Sequence, residues 1–189
     1  MRMMYKKMMI GLSLAAAVFS MSAQNLIPMP VSVRLDSQPG VKYVADKTAN
    51  TQKMLVEKYS QDKDGNLCIQ ATLYFSGEKE DKERGRGVIA APDSAYIISF
   101  EYQGDVPRFW MGVNEFTGSN FWKDRKRLKA ACLTPKKEEW KKYQCEVITG
   151  KQCKRIGFYV NLYVNEKDKT FDVKPGQSLT IRNVSIIKK

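Results

Sequence analysis

Two segments of this chain place aromatic and amide side chains at every second position, opposite an apolar set. The residues that alternate with the apolar set are Trp110, Gly112 and Asn114 in one segment and Gly157, Tyr159, Asn161 and Tyr163 in the other. Successive side chains of a strand point to opposite faces, so these residues turn away from the core. An aromatic plane stacks on the apolar face of a sugar, and an amide donates to and accepts from its hydroxyls.

We therefore predict one exposed sugar-binding patch, in which the glycines leave room for the ligand, formed by Trp110, Asn114, Tyr159, Asn161 and Tyr163. Two further candidates, Phe121 and Trp122, lie in a predicted loop, where an exposed aromatic pair can contact a ligand or a partner. Other interpretations stay open for both sets. The strand aromatics would then only stabilise the sheet or lie beneath a loop, and the loop pair would plug one end of the fold.

The residues needed for common catalytic and metal sites are missing. The chain has no histidine, which removes Ser-His-Asp and Cys-His catalysis. Its four cysteines include no CxxC element, so the sequence argues against a zinc site. No pair of acidic residues stands out in an ordered apolar context, as glycoside hydrolysis would need. We predict a protein that is not an enzyme, with no catalytic residue, no metal ligand and no cofactor.

The four cysteines are Cys68, Cys132, Cys145 and Cys153. The last two flank a turn at Thr149-Gly150-Lys151, which brings them near each other across a hairpin. Their alternation parity differs, however, so a disulfide between them and free buried thiols both stay open.

The chain is strongly basic, with a formal net charge of +12 at pH 7. Part of this charge forms a run from Lys123 to Lys129, which we assign to a loop, and another part is Lys136-Lys137. Basic domains bind nucleic acid or acidic polymers. Export argues against nucleic acid, which leaves anionic glycans or a solvated basic surface as the interpretations of the run.

Residues 1–23 have the layout of a secretory signal peptide. A short basic start is followed by an apolar run from Met8 to Phe19 and by small residues that end at Ala23. The apolar run is too short to span a bilayer comfortably, and no cysteine follows the small residues. We expect cleavage after Ala23, or after Ser22, and a secreted or periplasmic product without a membrane anchor.

Residues 24–189 have the pattern of a single β-domain. Residues 24–62 are an extended lead-in with early strands, including an edge strand at Val31 to Leu35 and a segment from Gln52 to Tyr59 that fits a strand or a short helix. Clear period-two segments follow at Leu67–Phe75, Tyr96–Tyr102, Phe109–Val113, Tyr143–Val147, Ile156–Val164 and Leu179–Ile186. Short alternating strands with turns between them predict an all-β fold, an antiparallel β-sandwich.

The order of several local patterns resembles a known family. A strand at Tyr96–Tyr102 precedes Leu133-Thr134-Pro135 and Trp140, and a Gly-aromatic strand at Arg155–Val160 precedes a closing strand after Pro175-Gly176. This order resembles secreted carbohydrate-binding modules with a jelly-roll, galactose-binding-like sandwich. Arg182-Asn183 stand where that family usually carries an acidic residue.

The resemblance implies a non-catalytic module that binds an oligo- or polysaccharide, linked to polysaccharide utilisation. It also implies a packing role for Trp140. An envelope or surface module that binds a protein partner by strand addition at an edge is the alternative.

Overall fold

The computed structural model describes residues 24–27, 32–76, 87–118, 123–167 and 172–189. The predicted signal peptide and the pair Phe121-Trp122 lie outside these ranges. The described residues form β1 (Ser32–Ser37), β2 (Val41–Asp46), β3 (Thr51–Val56), β4 (Ser60–Gln61), β5 (Leu67–Ser76), β6 (Val88–Ile89), β7 (Ala95–Gly104), β8 (Phe109–Phe116), β9 (Arg125–Leu133), β10 (Lys141–Ile148), β11 (Arg155–Asn165) and β12 (Ser178–Lys188). In these ranges no helix is long and apolar enough to cross a membrane.

The strands form two antiparallel sheets. The larger sheet has the order β1-β5-β11-β8-β9, with β4 added to β5 and β6 added to β11. The smaller sheet has the order β10-β7-β12-β3-β2. Neighbours in each sheet are mostly distant in sequence, as in a jelly roll. The predicted all-β, antiparallel sandwich is confirmed.

The core lies between the inner faces of the two sheets. In β11 the residues Ile156, Phe158, Val160 and Leu162 are buried, as the period-two pattern predicts. The ring of Phe158 joins the layers, because its centroid lies 4.9 Å from Phe75 in the same sheet and 4.9 Å from Phe100 in the other.

Several local expectations are settled by the pairing. The predicted edge strand is β1, which pairs with β5 at the border of the larger sheet. The ambiguous segment after Gln52 continues a strand, β3, rather than a helix. The closing strand β12 carries a bulge between Arg182 and Ser185, where Asn183 has a φ of 51°.

The assignment of the basic run to a loop is wrong, because most of it belongs to β9. Residues Arg125 to Arg127 and Lys129 pair with β8, and β9 forms the edge of the larger sheet. An edge strand that is exposed along most of its length needs no apolar face, so its sequence lacks the alternation that marks a half-buried strand. The four cysteines are free thiols in this structure; Cys68 and Cys153 are buried, Cys145 is half-buried and Cys132 is exposed.

Candidate functional site

The two segments nominated from sequence are neighbouring strands of one sheet. In the pairing of β8 with β11, Trp110 lies opposite Asn161, and Gly112 lies opposite Tyr159. On the other side of β11, Tyr159 lies opposite Tyr74, and Asn161 lies opposite Thr72 of β5. Directly paired side chains share a face of a sheet. We call six outer-face residues the platform: Thr72, Tyr74, Trp110, Tyr159, Asn161 and Tyr163.

The platform exposes large aromatic surfaces. Trp110 and Tyr163 are each 46% exposed, and Tyr159 and Tyr74 are half-buried. Phe109 and Met111, the chain neighbours of Trp110, are fully buried on the other side of the sheet. The alternation therefore separates two sets of side chains in β8, and Trp110 is the member of the outward set that is exposed.

Tyr159 owes its position to a glycine. A Cβ atom built on Gly112 would lie 2.2 Å from Cζ of Tyr159 and 2.3 Å from its hydroxyl oxygen. The ring thus extends across β8 over the one residue of that strand that has no side chain, so the space at Gly112 holds a ring of the platform rather than the ligand that we expected there. On its other side the ring meets Tyr74, with centroids 6.2 Å apart and planes tilted by 45°.

The polar part of the platform is held in place. The hydroxyl of Thr72 donates to Oδ1 of Asn161 at 3.3 Å. This bond uses the amide oxygen, and no residue of the described ranges accepts from Nδ2, so the amide NH₂ can donate to a sugar hydroxyl between Trp110 and Tyr163. The rings can stack on a sugar, and the amide and hydroxyls can hydrogen-bond to it. These six residues offer no nucleophile paired with a base.

The predicted exposure of Asn114 is wrong. Asn114 is 3% exposed, and its Oδ1 is a buried atom without a hydrogen-bond partner in the structure. Its neighbours on this face, Phe116 and Gly157, are buried too, and Phe116 is not part of the core cluster. The outer face is therefore covered at this end and open around Trp110. Alternation gives the direction of a side chain, but it does not show which side chains another segment covers.

Sequence reasoning missed the contribution of β5. Tyr74 and Thr72 have the outward parity of a clear strand, so the signal was present, but only the order β5-β11-β8 brings them beside Tyr159 and Asn161. It also missed Cys132, which lies opposite Trp110 on β9 with its thiol exposed. The nominated pair Phe121 and Trp122 lies outside the described residues, and their role stays a prediction.

Known structures share this architecture. A family 4 carbohydrate-binding module superposes with a TM-score of 0.51 over 85% of this chain and 89% of its own, at 10% identity. The fold is similar to that of carbohydrate-binding modules. A tandem of two family 22 modules from Paenibacillus barcinonensis Xyn10C gives a TM-score of 0.50 at 12% identity. That match covers 92% of this chain and 51% of the tandem. No protein-family model and no curated protein matches the sequence.

Proposed function

We propose that this protein binds glycan chains on the platform and does not transform them. The observation that carries the proposal is the exposure of Trp110 and Tyr163 on the same face as the Tyr159 ring, which lies over Gly112. The similarity in fold to carbohydrate-binding modules supports the proposal, because those proteins present a sandwich of the same architecture to their ligands.

The spacing of the aromatics favours an extended ligand. Tyr159 and Tyr163 are four residues apart in β11, which corresponds to about 13 Å along a strand. Trp110 lies between them in height, opposite Asn161. This span is longer than one sugar ring, so several consecutive sugar units would share the platform. We expect affinity to rise with chain length, because each stacked aromatic adds about 1 kcal/mol beyond the area that it buries.

The proposed place of action is outside the cytoplasm, in the periplasm or the medium. The layout of residues 1–23 supports this proposal. Mass spectrometry of exported protein is expected to show a chain that starts at Gln24, or at Ala23. Exported protein that retains Met1 would contradict the proposal.

A glycan array probed with residues 24–189 tests the binding function. The expected result is retention of one class of oligosaccharide, with long chains bound better than short ones. The exposed thiol of Cys132, opposite Trp110, then serves as a local reporter. A bound oligosaccharide is expected to slow the reaction of Cys132 with iodoacetamide, whereas a non-binding oligosaccharide of equal length leaves the rate unchanged. Absence of binding to every class would overturn the proposal.

A further inference from the structure

A bulge in β9 decides which basic side chains share the platform's face. Val113 pairs with Lys129, but the next residue of β8, Asn114, pairs with Arg127. Leu128 is therefore the extra residue, without a partner on β8. A bulge of this kind reverses the alternation of one strand and redirects its side chains.

Because of this reversal, each side chain beyond the bulge points to the opposite face of the sheet from the face that regular pairing would give it. Leu128 packs against the hydrophobic core, although regular pairing with Asn114 would turn it outward. Lys126 lies opposite Glu115 and forms an ion pair with it at 3.4 Å. Arg127, paired with Asn114, therefore belongs to the outer face of the sheet, which is also the face of the platform.

The outward side chains of β9 that lie between Arg127 and the platform are small. The next outward residues of β9 are Ala130, opposite Gly112, and Cys132, opposite Trp110. No large side chain of β9 separates the guanidinium from Tyr159, and the row of Arg127 lies two β8 residues from that of Tyr159, or about 7 Å. Arg127 is exposed, and no carboxylate of the described residues lies within salt-bridge distance of it.

We propose that Arg127 binds an anionic group of the glycan that occupies the platform, either a uronate carboxylate or a sulfate ester. This inference rests on the proposed function and names the class of its ligand. A guanidinium presents its N–H donors in a planar fork that fits both groups with two parallel hydrogen bonds. The platform stacks the sugar rings, and Arg127 selects chains that carry a charge where they reach the covered end at Asn114.

The test compares glycans that differ only in the charged group. One pair is hexagalacturonate and its methyl ester, and a second is xylohexaose with and without a glucuronic acid branch. A third pair is a sulfated galactan hexasaccharide and its desulfated form, so that the carboxylate and the sulfate are examined separately. We expect the acidic member of at least one pair to bind about tenfold more tightly at low salt, with the preference falling as salt rises.

The variant R127Q and its control K129Q locate the effect. Both remove one positive charge from β9, but Lys129 shares the side of Val113, and its charge acts on the Cys145 thiol in the other sheet. We expect R127Q to lose the preference for the acidic member and to keep its affinity for the neutral one, while K129Q keeps both.

Equal binding of both members in every pair would overturn the inference, as would equal losses in R127Q and K129Q. Failure of all six oligosaccharides to bind would also overturn it. The array described above decides the proposed function separately, because it includes neutral glycans outside these pairs.

Discussion

At the residue scale, the platform depends on a relation between two residues of different strands. The Tyr159 ring occupies the space that any side chain at position 112 would fill, so a single glycine sets the height and tilt of an aromatic that stands beside Tyr74. The contact involves the far end of a flexible side chain. The ring can therefore swing away without disturbing the backbone, which separates its effect on binding from its effect on stability.

This relation predicts that Gly112→Ala weakens glycan binding with little change in melting temperature. The new methyl group displaces the ring, and the loss of one stacking contact lowers affinity about fivefold. Tyr159→Ala is expected to cause a similar loss. In the double variant the two effects are not additive, because only one ring can be lost. Titration calorimetry on the four proteins checks this, and additive losses would show that Gly112 acts in another way.

A second residue-scale prediction concerns Cys153. Burial of the thiol and, second, the nearby Glu115 carboxylate together raise its pKa to about 11, compared with 9.0 for a free thiol. Between these values the unfolded chain has released a proton that the native protein still holds. The free energy of unfolding therefore falls as pH rises through this window, by about 2 kcal/mol from this group.

Urea unfolding of the wild type and of Cys153→Ala at pH 8.5 and 10.5 isolates this contribution, because the other titrating groups are common to both proteins. We expect the wild type to lose more stability than the variant over the interval. Equal losses would contradict the assignment.

At the scale of elements, the sequence was informative wherever a strand has one buried face. In β8 and β11 the core-facing residues recur at every second position, so the direction of Trp110, Tyr159 and Tyr163 followed from parity, although their exposure did not. In β9 both sides are largely exposed, and a bulge interrupts the register, so neither the strand nor the direction of Arg127 was accessible. The burial of Asn114 and the position of Tyr74 beside Tyr159 depend on how distant segments pack together, which local sequence patterns do not encode.

Glu115 connects three elements at one end of the larger sheet. It is 3% exposed in β8, accepts the backbone N–H of Gly150 at 2.6 Å in the turn before β11, and pairs with Lys126 of β9. Lys126 itself is exposed, so water replaces it easily. The carboxylate is therefore the structural member of the group, because its loss removes the hydrogen-bond acceptor of the partly buried N–H of Gly150.

We expect Glu115→Ala to lower the free energy of unfolding by about 2–3 kcal/mol and Lys126→Ala by less than about 1 kcal/mol. Urea denaturation of both variants measures the difference. Losses of equal size would show that the ion pair, rather than the hydrogen bond to the turn, holds this end of the sheet.

At the scale of the whole molecule, the two sheets use their outer aromatics differently. Beside the smaller sheet, Trp140 lies under the guanidinium of Arg182 at 3.8 Å, and Arg182 also binds Glu101 at 2.8 Å. That bond holds the pKa of Glu101 below its usual value. This tryptophan is part of a closed network, whereas Trp110 on the larger sheet is 46% exposed.

The edge of the larger sheet at β9 is dense in Arg and Lys, which discourages strand addition.

The central claim, that the platform is the glycan-binding surface, is tested most directly by the variant Trp110→Ala. Its control is Ile148→Ala, which removes an apolar side chain that is 67% exposed on β10 of the other sheet. Titration calorimetry with the best array ligand is expected to show at least a fivefold loss of affinity for the first variant and none for the second. Both are expected to melt close to the wild type. Wild-type affinity in Trp110→Ala, or an equal loss in Ile148→Ala, would contradict the account.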